Sequence, residues 1–106
     1  MITIDLHGMN VDSAIYNLNN HLKMAKKDND RLLYIITGYG SSGKTHKIKN
    51  KVIEVLDEYK MNKYIKDYLL GSEIDIFNLK YQSFPNKNIP ENIKNERNLG
   101  AILVAV

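Results

Sequence analysis

The chain has 106 residues, no cysteine and a formal net charge of +3. This length gives one domain with its own hydrophobic core, and the lack of cysteine excludes disulfides, thiolate metal sites and cysteine nucleophiles. No charged-then-apolar leader follows Met1, and the longest apolar run, Ala101 to Val106, is too short to span a membrane. We therefore expect a cytoplasmic protein that comprises a single domain over residues 1–106, with no membrane partner.

The first half of the chain predicts two strands and a helix. Alternating β-prone residues indicate a strand over Ile2–Leu6. Asn10 is a typical helix N-cap, and apolar residues recur after it at helical spacing, which predicts a helix to about Lys27. Leu32–Thr37 is almost wholly apolar, as in a central strand that is covered on both faces.

A glycine-rich stretch follows, and helical periodicity then predicts a second helix from about Thr45 to Tyr59. Ile65–Leu70 is expected to form a third strand and Ala101–Val106 the last one. The segment between them, residues 71–98, reads as an atypically long loop or insertion. Within it, 73–81 fits either a short helix or a strand, and 85–98 is polar and typical of a mobile loop.

The element order β-α-β-α-β-β predicts an α/β two-layer sandwich with a mixed sheet. The first unit should be a right-handed crossover with parallel strands, so the first two strands end at one edge of the sheet. Ligands of open α/β sheets bind at that edge. The segments Asp5–Gly8 and Gly38–Gly43 follow those strand ends, and we expect the two motifs to converge there.

The glycine-rich stretch predicts a phosphate contact. Glycines allow close backbone approach, and no acidic residue lies between Arg31 and Ile53, where five basic residues fall. The start of the second helix is basic although the positive end of the helix dipole lies there, and a bound phosphate would offset this repulsion. The expected phosphate-binding residues are Gly38, Gly40, Ser41, Ser42, Gly43, Lys44, Lys47 and Lys51.

A second interpretation of this stretch is a nucleotide-hydrolase phosphate loop. Gly38, Gly43, Lys44 and Thr45 fit that pattern by letter. The chain after Thr45 is too short for the several βα units that such a fold adds, and no apolar strand there ends in a convincing metal-binding aspartate. This interpretation therefore ranks below nucleic-acid binding.

Asp5 and His7 form a candidate catalytic pair. Residues i and i+2 of a strand point to the same face, so the carboxylate can orient the imidazole and His7 can act as a general acid or base. The alternative is a surface histidine beside an aspartate that caps a turn. One histidine and one aspartate do not complete a metal site, so no metal ligand is assigned.

These motifs resemble the Smr (small MutS-related) domain family. Ile4–Met9 resembles the family's leucine-aspartate-leucine-histidine-glycine signature, and 36–44 is similar to its second signature, H-G-x-G. Gly100–Val106 resembles the closing strand. The resemblance implies a fold like the C-terminal domain of translation initiation factor three. It also implies nucleic-acid binding, often with endonuclease activity on DNA or on RNA, including messenger RNA on stalled ribosomes.

The resemblance assigns catalysis to Asp5 and His7, and it places Gly38 and Gly40 in the second motif. Thr37 stands where the family often has its second histidine, so that imidazole's role does not transfer. Thr37 and His46 are kept as auxiliary candidates, since His46 could compensate if the second helix begins near the site. The segment 71–98 is longer than the family usually shows.

The leading hypothesis is an Smr-like endonuclease, and the main alternative is a non-catalytic module that binds nucleic acid or a ribosome. On RNA the 2′-hydroxyl is the natural nucleophile and needs no metal. On DNA the nucleophile would be water, for which a divalent ion is kept open as a cofactor.

Overall fold

The computed structural model describes residues 1–38, 43–96 and 98–106, apart from the side chains of 43–45. In chain order the strands are β1 Ile2–Asp5, β2 Leu32–Ile36, β3 Asp67–Leu70 and β4 Ala101–Ala105. The helices are α1 Val11–Lys27, α2 Gly43–Met61, α3 Leu79–Gln82 and α4 Glu91–Glu96, with a 3₁₀ turn at Gly71–Glu73.

Helix α1 has the boundaries that its sequence predicts. The Asn10 side chain accepts a hydrogen bond from the amide of Ser13 at 2.8 Å, which satisfies one of the free donors of the first turn. Asp12 lies in the first turn and two lysines lie in the last, so its charges favour the helix dipole. Its buried stripe consists of Ala14, Leu18, Leu22 and Ala25.

The four strands form one mixed sheet in the order β1-β2-β4-β3. β1 and β2 are parallel, with Asp5 opposite Ile36, whereas β4 is antiparallel to both of its neighbours. The predicted α/β sandwich with a mixed sheet is therefore confirmed. The edge at which β1 and β2 end, called the carboxyl edge below, also holds Ala101 at the start of β4.

Alternate residues of the sheet belong to two hydrophobic clusters. Leu33 and Ile35 of β2 pack with α1 and α2 on the helical face, while Leu32 and Tyr34 pack on the opposite face, called the second face. Because β2 is buried on both faces, it carries the continuous apolar run from which a central strand was predicted.

Residues 71–98, called the covering segment, pack across the second face. Ile74, Phe84, Ile89 and Ile93 are buried against the sheet. The prediction of a polar loop over 85–98 is therefore wrong in part, since α4 forms there and two isoleucines are buried. The segment starts at Gly71, where an added Cβ would lie 1.7 Å from the carbonyl oxygen of Asn98.

Helix α2 extends two residues beyond the predicted range at each end. It ends in a turn in which the amide of Lys63 donates to the carbonyl of Lys60 at 3.1 Å, and that of Tyr64 donates to Tyr59 at 2.8 Å. Lys63 has a left-handed φ of 61°. These bonds are those of a Schellman motif, which closes a helix by satisfying its last carbonyls.

Candidate nucleic-acid site at the carboxyl edge

The segments that follow β1 and β2 begin at the carboxyl edge, as the parallel crossover requires. The amide of Leu6 donates to the carbonyl of Ile36 at 2.8 Å, which carries the β1–β2 pairing one residue past β1. His7 follows Leu6, and Thr37 follows Ile36 at the end of β2. An exposed histidine turn therefore follows β1 at the edge where Thr37 and Gly38 follow β2.

The Asp5 carboxylate holds the backbone of that turn. Its Oδ1 accepts a hydrogen bond from the main-chain amide of His7 at 2.9 Å. Strand β1 ends at Asp5, one residue earlier than predicted, and Gly8 has a φ of 81° that a glycine adopts without strain. His7 is exposed, and within the described part of the chain no side chain bonds its imidazole.

Thr37 is fully buried and serves the packing of two strands. Its amide and its hydroxyl donate to the carbonyl of Gly100 at 2.7 and 3.1 Å, and the amide of Gly38 donates to the same oxygen at 3.1 Å. The hydroxyl is therefore engaged below the surface. Gly38 has a left-handed φ of 92°, which a glycine adopts without strain.

The start of α2 is basic, with no acidic residue in its first turn. His46 and Lys47 are exposed, whereas Lys51 contacts Glu54 at 3.4 Å and is half-buried. Lys49 was not assigned a role from the sequence, and its Nζ donates to the carbonyl of Leu99 at 3.4 Å. Among the predicted phosphate contacts, Lys47 is thus the lysine with a described, exposed and unpaired side chain.

Several predicted site residues lie outside the described ranges. Gly40, Ser41 and Ser42 are among them, and of Gly43 and Lys44 only the backbone at the start of α2 is described. Their predicted phosphate contacts stay predictions. Helix α2 does begin at the carboxyl edge, where helix-start amides and the positive dipole end suit an anion.

Sequence reasoning did not identify the support beneath the site. The side chain of Asn98 accepts a hydrogen bond from the amide of Gly100 at 2.8 Å, and Gly100 in turn holds the end of β2. In the sequence, this support is marked by a glycine directly before the last strand, and that pattern is too common to predict a role for Gly100. In the described ranges, no group of three histidine, aspartate or glutamate side chains is arranged to hold a metal ion.

The fold is an α/β domain with an exposed histidine after β1 and a basic helix start in α2, the helix that follows β2. The family model of the Smr domain matches residues 4–72, about two-thirds of the chain, and the chain therefore belongs to the Smr domain family. No curated protein and no solved structure matches the chain. The matched range holds both motifs, and it ends before the covering segment turns back to β4.

The family assignment supports a function in nucleic-acid binding or nuclease-like chemistry. It agrees with the basic start of α2 and with the exposed His7 turn. None of the helices in the described residues is long and apolar enough to cross a membrane.

Proposed function

We propose that the protein is a nucleic-acid endonuclease that cleaves phosphodiester bonds of RNA or DNA at the carboxyl edge. The observation that carries this proposal is the exposed His7 turn, which follows β1 at the same edge of the sheet where Thr37 and Gly38 follow β2, ahead of the basic start of α2 in the sequence. Helix-start amides and Lys47 would hold the phosphate, and His7 would move the proton. Membership of the Smr family supports the same reaction class.

On RNA the reaction would be a transesterification. The 2′-oxygen attacks the adjacent phosphorus and the bond to the 5′-oxygen breaks, leaving a 2′,3′-cyclic phosphate and a 5′-hydroxyl. The exposed imidazole of His7 would take the proton of the 2′-hydroxyl or protonate the leaving oxygen. On DNA, water replaces the 2′-hydroxyl as the nucleophile, and a divalent ion would assist it.

Asp5 would act as a positioning residue in this proposal. Its Oδ1 bonds the backbone of His7, so it fixes the turn that presents the imidazole. This role differs from the carboxylate–imidazole pair that the sequence suggested. The two roles can be separated, because an asparagine at this position keeps an oxygen that accepts the amide but carries no charge.

A cleavage panel with labelled single- and double-stranded RNA and DNA, with and without chelator, tests the proposal. His7→Ala should lower the cleavage rate at least about 100-fold, the loss typical of a general acid or base. His21→Gln is the matched control, since its ring bonds the carbonyl of Asn17 within α1. Cleavage that is equally fast in both variants would overturn the assignment.

The Asp5 variants sharpen the result. If Asp5 positions the turn, Asp5→Asn should keep most of the activity and Asp5→Ala should lose it. If the imidazole needs the negative charge of Asp5, both variants should lose the cleavage activity.

A second candidate function is nucleic-acid or ribosome binding without cleavage. The observation that favours it is Thr37, which replaces an imidazole and is buried with its hydroxyl bonded to Gly100. Salt-dependent binding with no product on any substrate, with or without divalent ions, would support this function over catalysis. A titration with ATP and GTP in the same panel tests the nucleotide-hydrolase interpretation. If neither nucleotide binds, that interpretation is wrong.

A further inference from the structure

A groove of about 580 Å³ lies at the far end of the helical layer from the carboxyl edge. It is formed by the last turns of α1 and α2 and by the turn that closes α2. Helix α1 begins after the His7 turn at Val11, and Asn19 is the first of its residues to line the groove, so at 1.5 Å per residue the groove starts about 12 Å along the helix and extends towards its end. The groove is thus distinct from the site described above.

The groove combines lysines with aromatic rings. Lys23 and Lys26 come from α1, Lys63 comes from the closing turn, and no acidic residue is among the described residues that line it. The Lys26 ammonium lies 3.3 Å from the centre of the Tyr64 ring, and Tyr64 packs edge-to-face on Tyr59 at 5.1 Å. No ion pair engages Lys23 or Lys63 within the described ranges.

The aromatic pair is fixed in place before any ligand arrives. The hydroxyl of Tyr59 donates to the side chain of Asn19 at 2.6 Å, which joins α2 to α1 across the groove. The Schellman bonds hold Tyr64 at the other side. Rigid rings beside cations suit an anionic ligand with a planar part, because the exposed parts of the ring pair offer contact area and the ammonium groups, with Lys26 over one face of Tyr64, offer charge.

Lys63 occupies a position that normally favours glycine. A left-handed φ of 61° costs a non-glycine residue about 1 kcal/mol, and the helix-closing position is the one at which glycine is most enriched. Residues that oppose a local preference are candidates for function. A lysine here places a cation at the rim of the groove, which a glycine would not provide.

We propose that this groove is a second contact for a single nucleic-acid strand, with Lys23 and Lys63 pairing with backbone phosphates and a base packing against the tyrosine pair. Alternation of cations and aromatic rings is how single-stranded nucleic acid is held without sequence preference. The side chain of Asn19 adds a polar group for a base edge. This contact stands independently of whether the carboxyl edge cleaves.

The test is fluorescence anisotropy with a labelled single strand of about 12 nucleotides, a length within the range of single-strand sites. The double variant Lys23→Gln, Lys63→Gln should bind about tenfold more weakly. Its slope of log affinity against log salt should fall by about 1.4, which is 0.7 for each lost phosphate contact. The control is Lys87→Gln, Lys94→Gln, which removes two charges from the covering segment; equal losses in both double variants would overturn the proposal.

Lys63→Gly provides a variant that keeps the fold. Its thermal midpoint should stay level or rise, because glycine adopts the left-handed φ without strain, while its affinity for the strand should fall. Affinity unchanged in Lys63→Gly and in the groove double variant would refute the groove contact.

Two further probes identify other ligands with similar charge. Vesicles that contain phosphatidylserine should bind the wild type and the groove double variant equally. If vesicle binding alone depends on the groove, the groove is a membrane contact and the proposal is wrong. A mononucleotide that competes as well as the strand would likewise show a small-molecule site in place of a strand contact.

Discussion

The two faces of the sheet are covered in different ways. On the helical face, apolar residues at regular helical spacing in α1 and α2 pack against β2. Both helices fall within the range matched by the family model. On the second face, the covering segment buries single apolar residues from turns and from a short helix. The second layer lies almost wholly beyond the matched range.

The part of the chain beyond the matched range contributes to the core of the fold, because it supplies a strand of the sheet. β4 lies between β2 and β3 in the sheet, so β3 joins the β1–β2 pair only through it. Gly71 and Thr37 both contact the stretch that leads into β4, at Asn98 and Gly100. We therefore expect the two faces to unfold together.

The largest expected effect comes from truncating one large core residue on each face. Leu18 on the helical face and Phe84 on the second face are both almost fully buried. Leu18→Ala and Phe84→Ala should each lower the free energy of unfolding by about 4 kcal/mol, the usual cost of such a cavity. Denaturant unfolding followed by circular dichroism measures both.

The unfolding curves show whether the covering segment shares one cooperative core with the helical face or unfolds separately. Each variant should keep a single transition with an unchanged m-value if the faces unfold together. A Phe84→Ala variant that loses less than about 1 kcal/mol, or that shows a separate early transition, would mean that the covering segment is a dispensable layer.

Gly71→Ala should give the next largest effect. The new Cβ would lie 1.7 Å from the carbonyl oxygen of Asn98, and backbone atoms on both sides would have to move, so we expect a loss of about 3 kcal/mol. Gly8→Ala is the matched control. Gly8 has a φ of 81° and open space around it, so this change should cost only about 1 kcal/mol of backbone strain. Equal losses in the two variants would contradict the close contact.

The contrast between the faces also explains what the sequence predicts. Ala14, Leu18, Leu22 and Ala25 recur at helical spacing, so the helix and its buried face could be found without a structure. Phe84 and Ile89 belong to no repeating pattern, because the segment around them is irregular and each residue fills a separate gap above the sheet. Periodicity cannot identify a cover of that kind.

The candidate site was predictable to the level of topology. Parallel pairing of β1 with β2 places Asp5 and Thr37 at one edge, as the crossover rule requires. The role of Asp5 was not predictable, because same-face pairing with His7 assumes that the strand continues through residue 7. β1 ends at Asp5, and in the turn that follows, the carboxylate bonds the His7 amide.

A smaller effect is expected from a hydrogen bond within the helical layer. The hydroxyl of Tyr68 on β3 donates to Asp57 of α2 at 2.5 Å, and burial together with this bond raises the pKa of Tyr68 above its ordinary value of 10. Tyr68→Phe should cost about 1 kcal/mol at neutral pH, since the pair is partly exposed. Tyr16→Phe, at an exposed position on α1, is the control.

The pH dependence of that variant has a definite sign. Because the folded state raises the pKa of Tyr68, its contribution is complete below pH 10 and is lost as the pH rises through the folded value. Wild-type stability should therefore fall more steeply above pH 10 than that of Tyr68→Phe. Parallel curves for the two proteins would show that the hydroxyl titrates normally.

The smallest expected effect concerns Thr37, where the two parts of the chain are joined. Thr37→Val removes the hydroxyl bond to Gly100, but that carbonyl keeps the amides of Thr37 and Gly38 as donors, so the loss should be about 0.5–1 kcal/mol. Because the hydroxyl is buried, nucleic-acid binding and cleavage should match the wild type at a temperature well below unfolding. A variant that keeps its thermal midpoint but loses either activity would show that this hydroxyl reaches the ligand, and it would restore Thr37 to the site.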